Sequence, residues 1–441
     1  MLSAFRNALL IPDLRAKLLI TIGLLSVYRL MVFIPTPGVN MQALREEGFG
    51  QDDLLGFLNF ISGGNFEVFS IAALGVIPYI TSSIIFQLLT SVYPPLEKLA
   101  KEGEEGRKKI TQYTRYLAMC LGAVQGLFLA VALLGTVEGA LRPGWSNDPF
   151  FWFTVVVTQV AGIALVMWLG EKITEFGVGN GISLIIYAGI VAAFPGAITG
   201  QFALIGAGEA NLFGMLIFFG LLIVAISGMV MVQQAERRIP VQYARKVVGR
   251  RVMGGQSTYI PLRINAAGVI PIIFAVSVII LPTTIIGAFP DVLWLQAVGA
   301  WFNPGQWQGL ITSSILIFLF TFFYTQVTFD PRRISENLRE YGGFVPGVRP
   351  GQPTTDHLAR ITIRITLWGA LFLASINALP QLLGWMIPGV GTLPIVFSGI
   401  GLLIMVSVSL DTLRQLESQL MMRHYEGFVS KGRIRGRGRR F

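Results

Sequence analysis

Ten times along this chain the sequence runs apolar for about 17–25 residues, the length an α-helix needs to cross the hydrocarbon core of a bilayer. The runs fall near 18–34, 74–92, 116–136, 151–169, 181–199, 212–232, 265–286, 309–329, 361–379 and 393–410. In lipid each segment must satisfy its own backbone hydrogen bonds, so such runs become helices. Composition agrees. Charged residues make up 13% of the 441 and hydrophobic ones 53%, where a soluble domain carries about 25% charge. The expected fold class is an all-α polytopic membrane protein, and a soluble domain is excluded.

Charge orients the spans. Of the 34 Lys and Arg, 30 lie in the N-terminal segment, in every second loop and in the tail after Leu410. The alternate loops hold only Arg45 and Arg142, while Arg29 and Arg364 fall within spans. Basic loops stay cytoplasmic, so both termini are expected there. Two basic loops are long, 233–264 and 330–360. One reading is a topology signal with attraction to anionic lipid. The other is a docking platform for an anionic or acidic cytoplasmic partner, since clustered Arg suits phosphate. The Gly/Arg-rich tail KGRIRGRGRRF (431–441) carries no readable function.

The segment LGFLNFISGGNFEVFS (55–70) is apolar enough to enter the membrane, too short to cross it, and interrupted by Gly63-Gly64. Irregular backbone at membrane depth survives where protein buries it, which reads as a re-entrant element. An amphipathic segment lying on the outer surface is the alternative. Immediately afterwards comes GVIP (75–78), and the same tetrapeptide recurs at 268–271, in spans two and seven of ten. That spacing fits a duplication into two five-span halves, inverted because five is odd. Pro78 and Pro271, early in their spans, are expected to kink them.

Span interiors are almost free of carboxylates; Glu171 and Asp411 fall at ends. Ion-coupled carriers need ionisable groups at mid-depth, so a secondary transporter of a small solute is the weaker alternative. The spans instead hold amides and hydroxyls, among them Gln87, Gln125, Gln159, Asn265 and Asn377, which suit interhelical hydrogen bonds. The single cysteine, Cys120, lies in an apolar run, and His357 and His424 have no ligand-like spacing, so no metal or other cofactor is expected. There is no phosphate-binding Gly-rich loop and no nucleophile–base pair to suggest an enzyme.

Several ordered motifs together resemble the SecY family, the channel subunits of the bacterial Sec protein translocon. They are FIPTPG (33–38), ALGVIPYITSSIIFQLL (73–89), KEGEEGRKKITQYTRY (101–116), MWLGEKITEFGVGNGIS (167–183), QSTYIPLRINAAGVIPIIFA (256–275) and FVPGVRPG (344–351). The resemblance implies ten transmembrane helices in two inverted pseudo-symmetric halves around a central pore. The halves are 1–200 and 201–410, followed by a basic tail, 411–441. It implies a protein-conducting channel in the bacterial cytoplasmic membrane, with an aliphatic ring at Val76, Ile80, Ile182, Ile186, Ile273 and Ile404. The interrupted segment becomes a short plug helix carrying Asn59, Phe60, Ile61, Ser62, Gly63, Gly64, Asn65, Phe66 and Glu67. A lateral gate between spans 2–3 and 7–8 would place Gln87, Gln125 and Asn265 at a seam held by a few hydrogen bonds. Arg250, Arg251 and Arg349 match docking positions for a SecA-type motor ATPase or a ribosome. SecE- and SecG-like small membrane subunits and secretory preproteins with signal sequences complete the implied partners.

Overall fold

The computed structural model describes residues 11–47, 59, 62–136, 139–141, 148–243, 246–248, 251–253, 257–265, 268, 270–289, 292–303, 306–387, 393 and 397–431. In chain order the first part holds helices α1 (Pro12–Val32), α2 (Met41–Glu47), α3 (Asn65–Val68), α4 (Ile77–Val92), α5 (Pro94–Lys101), α6 (Glu104–Thr136), α7 (Pro149–Phe176), α8 (Gly181–Gly206) and α9 (Leu212–Gln234). Strands β1 (Glu236–Tyr243), β2 (Lys246–Val248), β3 (Arg251–Met253) and β4 (Ser257–Arg263) follow. The chain continues through α10 (Ile270–Ala288), α11 (Leu293–Gly299), α12 (Trp307–Thr328), α13 (Pro331–Glu340), β5 (Gly343–Phe344), α14 (Gln352–Met386) and α15 (Gly399–Lys431).

Each of the ten apolar runs coincides with a helix: α1, α4, α6, α7, α8, α9, α10, α12, α14 and α15. Seven of these are long and apolar enough to span by themselves among the described residues. Their starts follow local chemistry. Asp148, Asn180, Asn211 and Asp330 accept hydrogen bonds from backbone N–H groups of the first turns of α7, α8, α9 and α13, which satisfies donors that helices leave open.

Helices α4 and α10 are shorter, and the prolines explain why. Pro78 and Pro271 sit at the second residue of their helices, where the missing N–H removes no helical bond. They begin helices instead of kinking them, contrary to the sequence expectation. Ahead of each stands a glycine in the left-handed region, Gly75 at φ 53° and Gly268 at φ 65°, which a residue with a side chain adopts at a cost. The glycine and the proline of the two GVIP copies therefore take corresponding roles in structure as in sequence. Before α4, residues 71–76 form irregular turns, and Ala72, Ala73, Leu74 and Val76 are buried. This non-helical backbone is covered by protein, as an apolar surrounding requires. Gly162 on α7 makes room for it: a Cβ there would lie 1.7 Å from the Ile71 carbonyl oxygen.

Packing divides the spanning helices. Helix α7 touches α1, α4, α6 and α8; α14 touches α9, α12 and α15, and α12 also packs on α10. Across the two sets, α10 packs on α4 and α6, and α15 packs on α8. One contiguous apolar core joins both sets.

The helical frame carries an addition that the sequence reading did not contain. Strands β4, β1 and β5 form an antiparallel sheet, with Ile239 opposite Ile260 and Gln242 opposite Phe344. Ile239, Leu262, Val345 and Leu358 bury a small separate core beneath it. The two long basic loops are thereby one folded unit.

Candidate channel site

At the junction of α4, α8, α10 and α15 lies a small cavity of ≈ 30 Å³. Val76, Ile80, Ile186, Ile273 and Ile404 all line it, and each is buried. Leu74, Ile77, Ile185 and Val276 complete an aliphatic wall. Tyr28, Ser62 and Ser277 are its polar neighbours. The hydroxyls of the serines are committed: Ser62 donates to the Asn59 carbonyl and Ser277 to the Ile273 carbonyl, each at 2.9 Å. A buried water needs two to four polar partners as well as room, and the mostly aliphatic lining of this waist disfavours one. Among the described residues no carboxylate lines it. Ile182, one turn before Ile186, is not part of the lining. It is half-buried and lies toward α7, where a Cβ on Gly170 would sit 3.0 Å from its Cγ1.

Ser62 brings the interrupted segment to the cavity. Asn59, Ser62, Gly63, Asn65 and Phe66 are buried and Gly64 is half-buried, so this stretch runs inside the bundle and not along a surface. Its helical part is short, only the four residues of α3. Phe60, Ile61 and the side chain of Glu67 lie outside the described residues. Asn65 donates from Nδ2 to the Ser62 carbonyl (2.7 Å), the Ala72 carbonyl (3.2 Å) and the Tyr28 hydroxyl (3.4 Å). Asn59 accepts the Phe66 N–H at its Oδ1 and the Gly64 N–H at its carbonyl. The far end is tied by Gln159 on α7, whose Nε2 donates to the Ser70 carbonyl (3.0 Å) and Thr36 Oγ1 (3.1 Å). Tyr28 did not stand out in the sequence, and Gln159 was one span amide among several, because a single tyrosine or amide in a span signals nothing about its depth or direction.

The seam between α10 and the pair α4 and α6 carries few polar links. Gln125 on α6 is buried and neither atom of its amide has a partner. Asn265 donates to the Gly268 carbonyl of its own segment (3.1 Å), and Gln87 on α4 is half-buried. None of the three makes a side-chain hydrogen bond across the seam among the described residues, which corrects the expectation of a hydrogen-bonded seam. The contact is apolar instead. At one end Phe128 of α6 meets Phe289, just past α10, edge to face at 6.1 Å between ring centres.

On the basic face Arg349 is exposed, and its carbonyl accepts the Thr354 hydroxyl at 2.8 Å. Arg251 lies in β3, and Arg250 is outside the described residues. In the sheet, Arg238 lies over the Tyr259 ring at 4.7 Å and pairs with Glu236.

The pattern that defines the SecY family matches residues 70–413. The chain belongs to the SecY family. The protein translocase subunit SecY of Thermus thermophilus is 57% identical over 441 residues, covering the whole of both chains. That of Thermotoga maritima is 43% identical, covering 99% of this chain and all of its own. Among solved structures, a protein-conducting channel superposes with TM-score 0.64 at 18% identity, covering 93% of this chain and 94% of its own. Sec61 from a canine ribosome–channel complex gives TM-score 0.61 at 17% identity, with the same coverage. These two share the fold of this SecY-family chain, which is a multi-pass membrane protein.

Proposed function

We propose that the chain is the channel subunit of a protein translocase, and that the aliphatic waist is its closed constriction. One observation carries this reading: five branched aliphatic side chains from α4, α8, α10 and α15 and their caps converge on one cavity with room for little more than a water. A hydrophobic constriction stops ions by excluding water and holds no fixed charge that would trap them. Branched side chains part around an extended polypeptide of any sequence and close after it. A small-solute carrier would need charged or convergent polar coordination here, and the lining offers only Tyr28 and two serine hydroxyls that donate to backbone.

In this reading the stretch from Asn59 to Ser70, whose described residues lie inside the bundle, is the plug. The seam of α4 and α6 against α10 is the lateral gate through which signal or transmembrane segments reach lipid. Its weakness comes from Gln125, whose amide is desolvated in the closed state and gains water or a partner once the seam parts. The folded basic platform, with Arg349 at its surface and Arg251 in β3, faces the cytoplasm of a bacterium, and both termini lie on that side. It receives a SecA-type motor ATPase or a ribosome. Small SecE- and SecG-like subunits and anionic lipid surround the bundle. The distribution of Lys and Arg supports this orientation, and one structural relative is a ribosome-bound channel.

The test is site-specific crosslinking. Photoreactive residues at positions 80, 186 and 273, in the chain assembled with its partner subunits, should each capture a stalled secretory precursor. A probe at Leu319, on the exposed face of α12, should capture lipid instead. Capture of precursor at Leu319 alone would refute the reading.

A further inference from the structure

Arg29 is a charged residue within a span that the channel reading leaves unused. It stands in the last turn of α1, within an otherwise apolar stretch, and it is half-buried. A charge in a spanning helix is costly and is retained where it has a specific partner. Two partners compete for it. The first is the open carbonyl end of α1 itself, which attracts any cation in the last turn. The second is what the side chain reaches: Arg29 Nη1 donates to the carbonyl of Gly63 at 3.1 Å, 34 residues away. It forms no ion pair among the described residues. The charge is thus spent on a neutral backbone carbonyl of the buried segment.

Gly63 is placed for this. It lies in the left-handed region at φ 77°, and a Cβ on it would sit 2.7 Å from the Gly189 Cα of α8. The turn is pressed against α8 on one side, and its carbonyl faces the guanidinium. The neighbouring Tyr28 lies on the same turn of α1 and receives the weaker Asn65 contact. Two consecutive residues of α1 therefore grip two points of one turn.

We infer that Arg29 is a positioning residue that latches the plug by donating a charge-assisted hydrogen bond to the Gly63 carbonyl. The inference rests on the plug reading of residues 59–70. The bond is short-range and strong for its size, and it is broken once the turn moves by a few ångströms. The vacated guanidinium then faces the funnel that the turn has left, where water solvates it. The latch therefore stabilises the closed state without making it irreversible, and it sets how readily the plug departs.

The test uses the full chain reconstituted with its partner subunits in planar bilayers. Three forms are compared with the unchanged chain: R29M, R29K and deletion of residues 59–68, the last also combined with R29M. R29M should raise idle ion conductance about tenfold, the shift expected when a ligand-like contact with the closed state alone is lost. R29K, which keeps a charged donor, should fall between R29M and the unchanged chain. It also serves as the readable variant if R29M fails to assemble. On the deletion background R29M should add nothing, because sites that act through one contact are not additive. A leaking deletion with R29M and R29K at the unchanged level overturns the latch and leaves the plug reading standing. A deletion that does not leak overturns the plug reading and the latch with it. An added leak from R29M on the deletion background overturns the latch, since the residue then acts elsewhere.

Discussion

Two buried glutamines show how far one side chain's surroundings decide its meaning. Gln159 is satisfied on its donor side by Thr36 and Ser70. Gln159→Leu would remove one of two donors to the buried Ser70 carbonyl, which keeps the Ala73 N–H, and the donor to Thr36, a loss on the order of 1 kcal/mol. The expected result is a lower midpoint in thermal unfolding of the detergent-solubilised protein. Gln125 has no partner for either amide atom, so the same change there works in the opposite direction. Gln125→Leu removes a desolvated amide from the closed seam and stabilises it by about 1 kcal/mol. Export of a substrate with a weakly hydrophobic signal should fall, while a strongly hydrophobic signal is unaffected. Equal export of both by the variant and the unchanged chain would contradict the seam assignment. In the sequence the two residues are alike, polar amides in apolar runs. What separates them is the loop that Gln159 faces and Gln125 does not, and no periodicity encodes that.

At the level of elements, the spans were legible because spanning length and charge alternation are imposed by lipid and recur ten times. The short helices α4 and α10 were legible only in part. GVIP marked their beginnings, but the left-handed glycine and the proline at the second position turn it into a start signal, and span length alone concealed that. Gly162 shows how closely the irregular stretch before α4 is fitted. Gly162→Ala would force the Ile71 carbonyl away, since the added atom would overlap it. It should lower the yield of folded, detergent-stable protein sharply, whereas Gly23→Ala, with open space around it, should leave yield unchanged. The folded basic platform was not legible because its arginines dominate the segment and leave only a short alternation at Ile239 and Val241, both buried between exposed neighbours. Placing an aspartate in its small core, Val345→Asp, should expose the 236–263 hairpin to protease and weaken partner binding, with idle conductance unchanged. Arg349→Glu should leave the hairpin protected and still abolish translocation.

Across the whole molecule, two sets of five helices meet along α10 with α4 and α6, and along α8 with α15. The waist lies where those contacts converge, and the aliphatic lining is contributed by both sets. In the proposed channel, separating the sets along one seam would widen the waist and open a path to lipid in a single motion. That Val76, Ile80, Ile186, Ile273 and Ile404 share one cavity was legible only through family resemblance, because isoleucine is ordinary in a spanning helix. Ile182, which matches a ring position in sequence, stands toward α7 in the closed arrangement, a difference of one helical turn from Ile186. The most direct measurement is idle ion conductance in planar bilayers of the chain with Ile80, Ile186 and Ile273 all replaced by serine. The account expects frequent or sustained ion currents in the absence of any substrate, because polar side chains wet the waist. Conductance indistinguishable from the unchanged chain, with the variant correctly assembled, would contradict it.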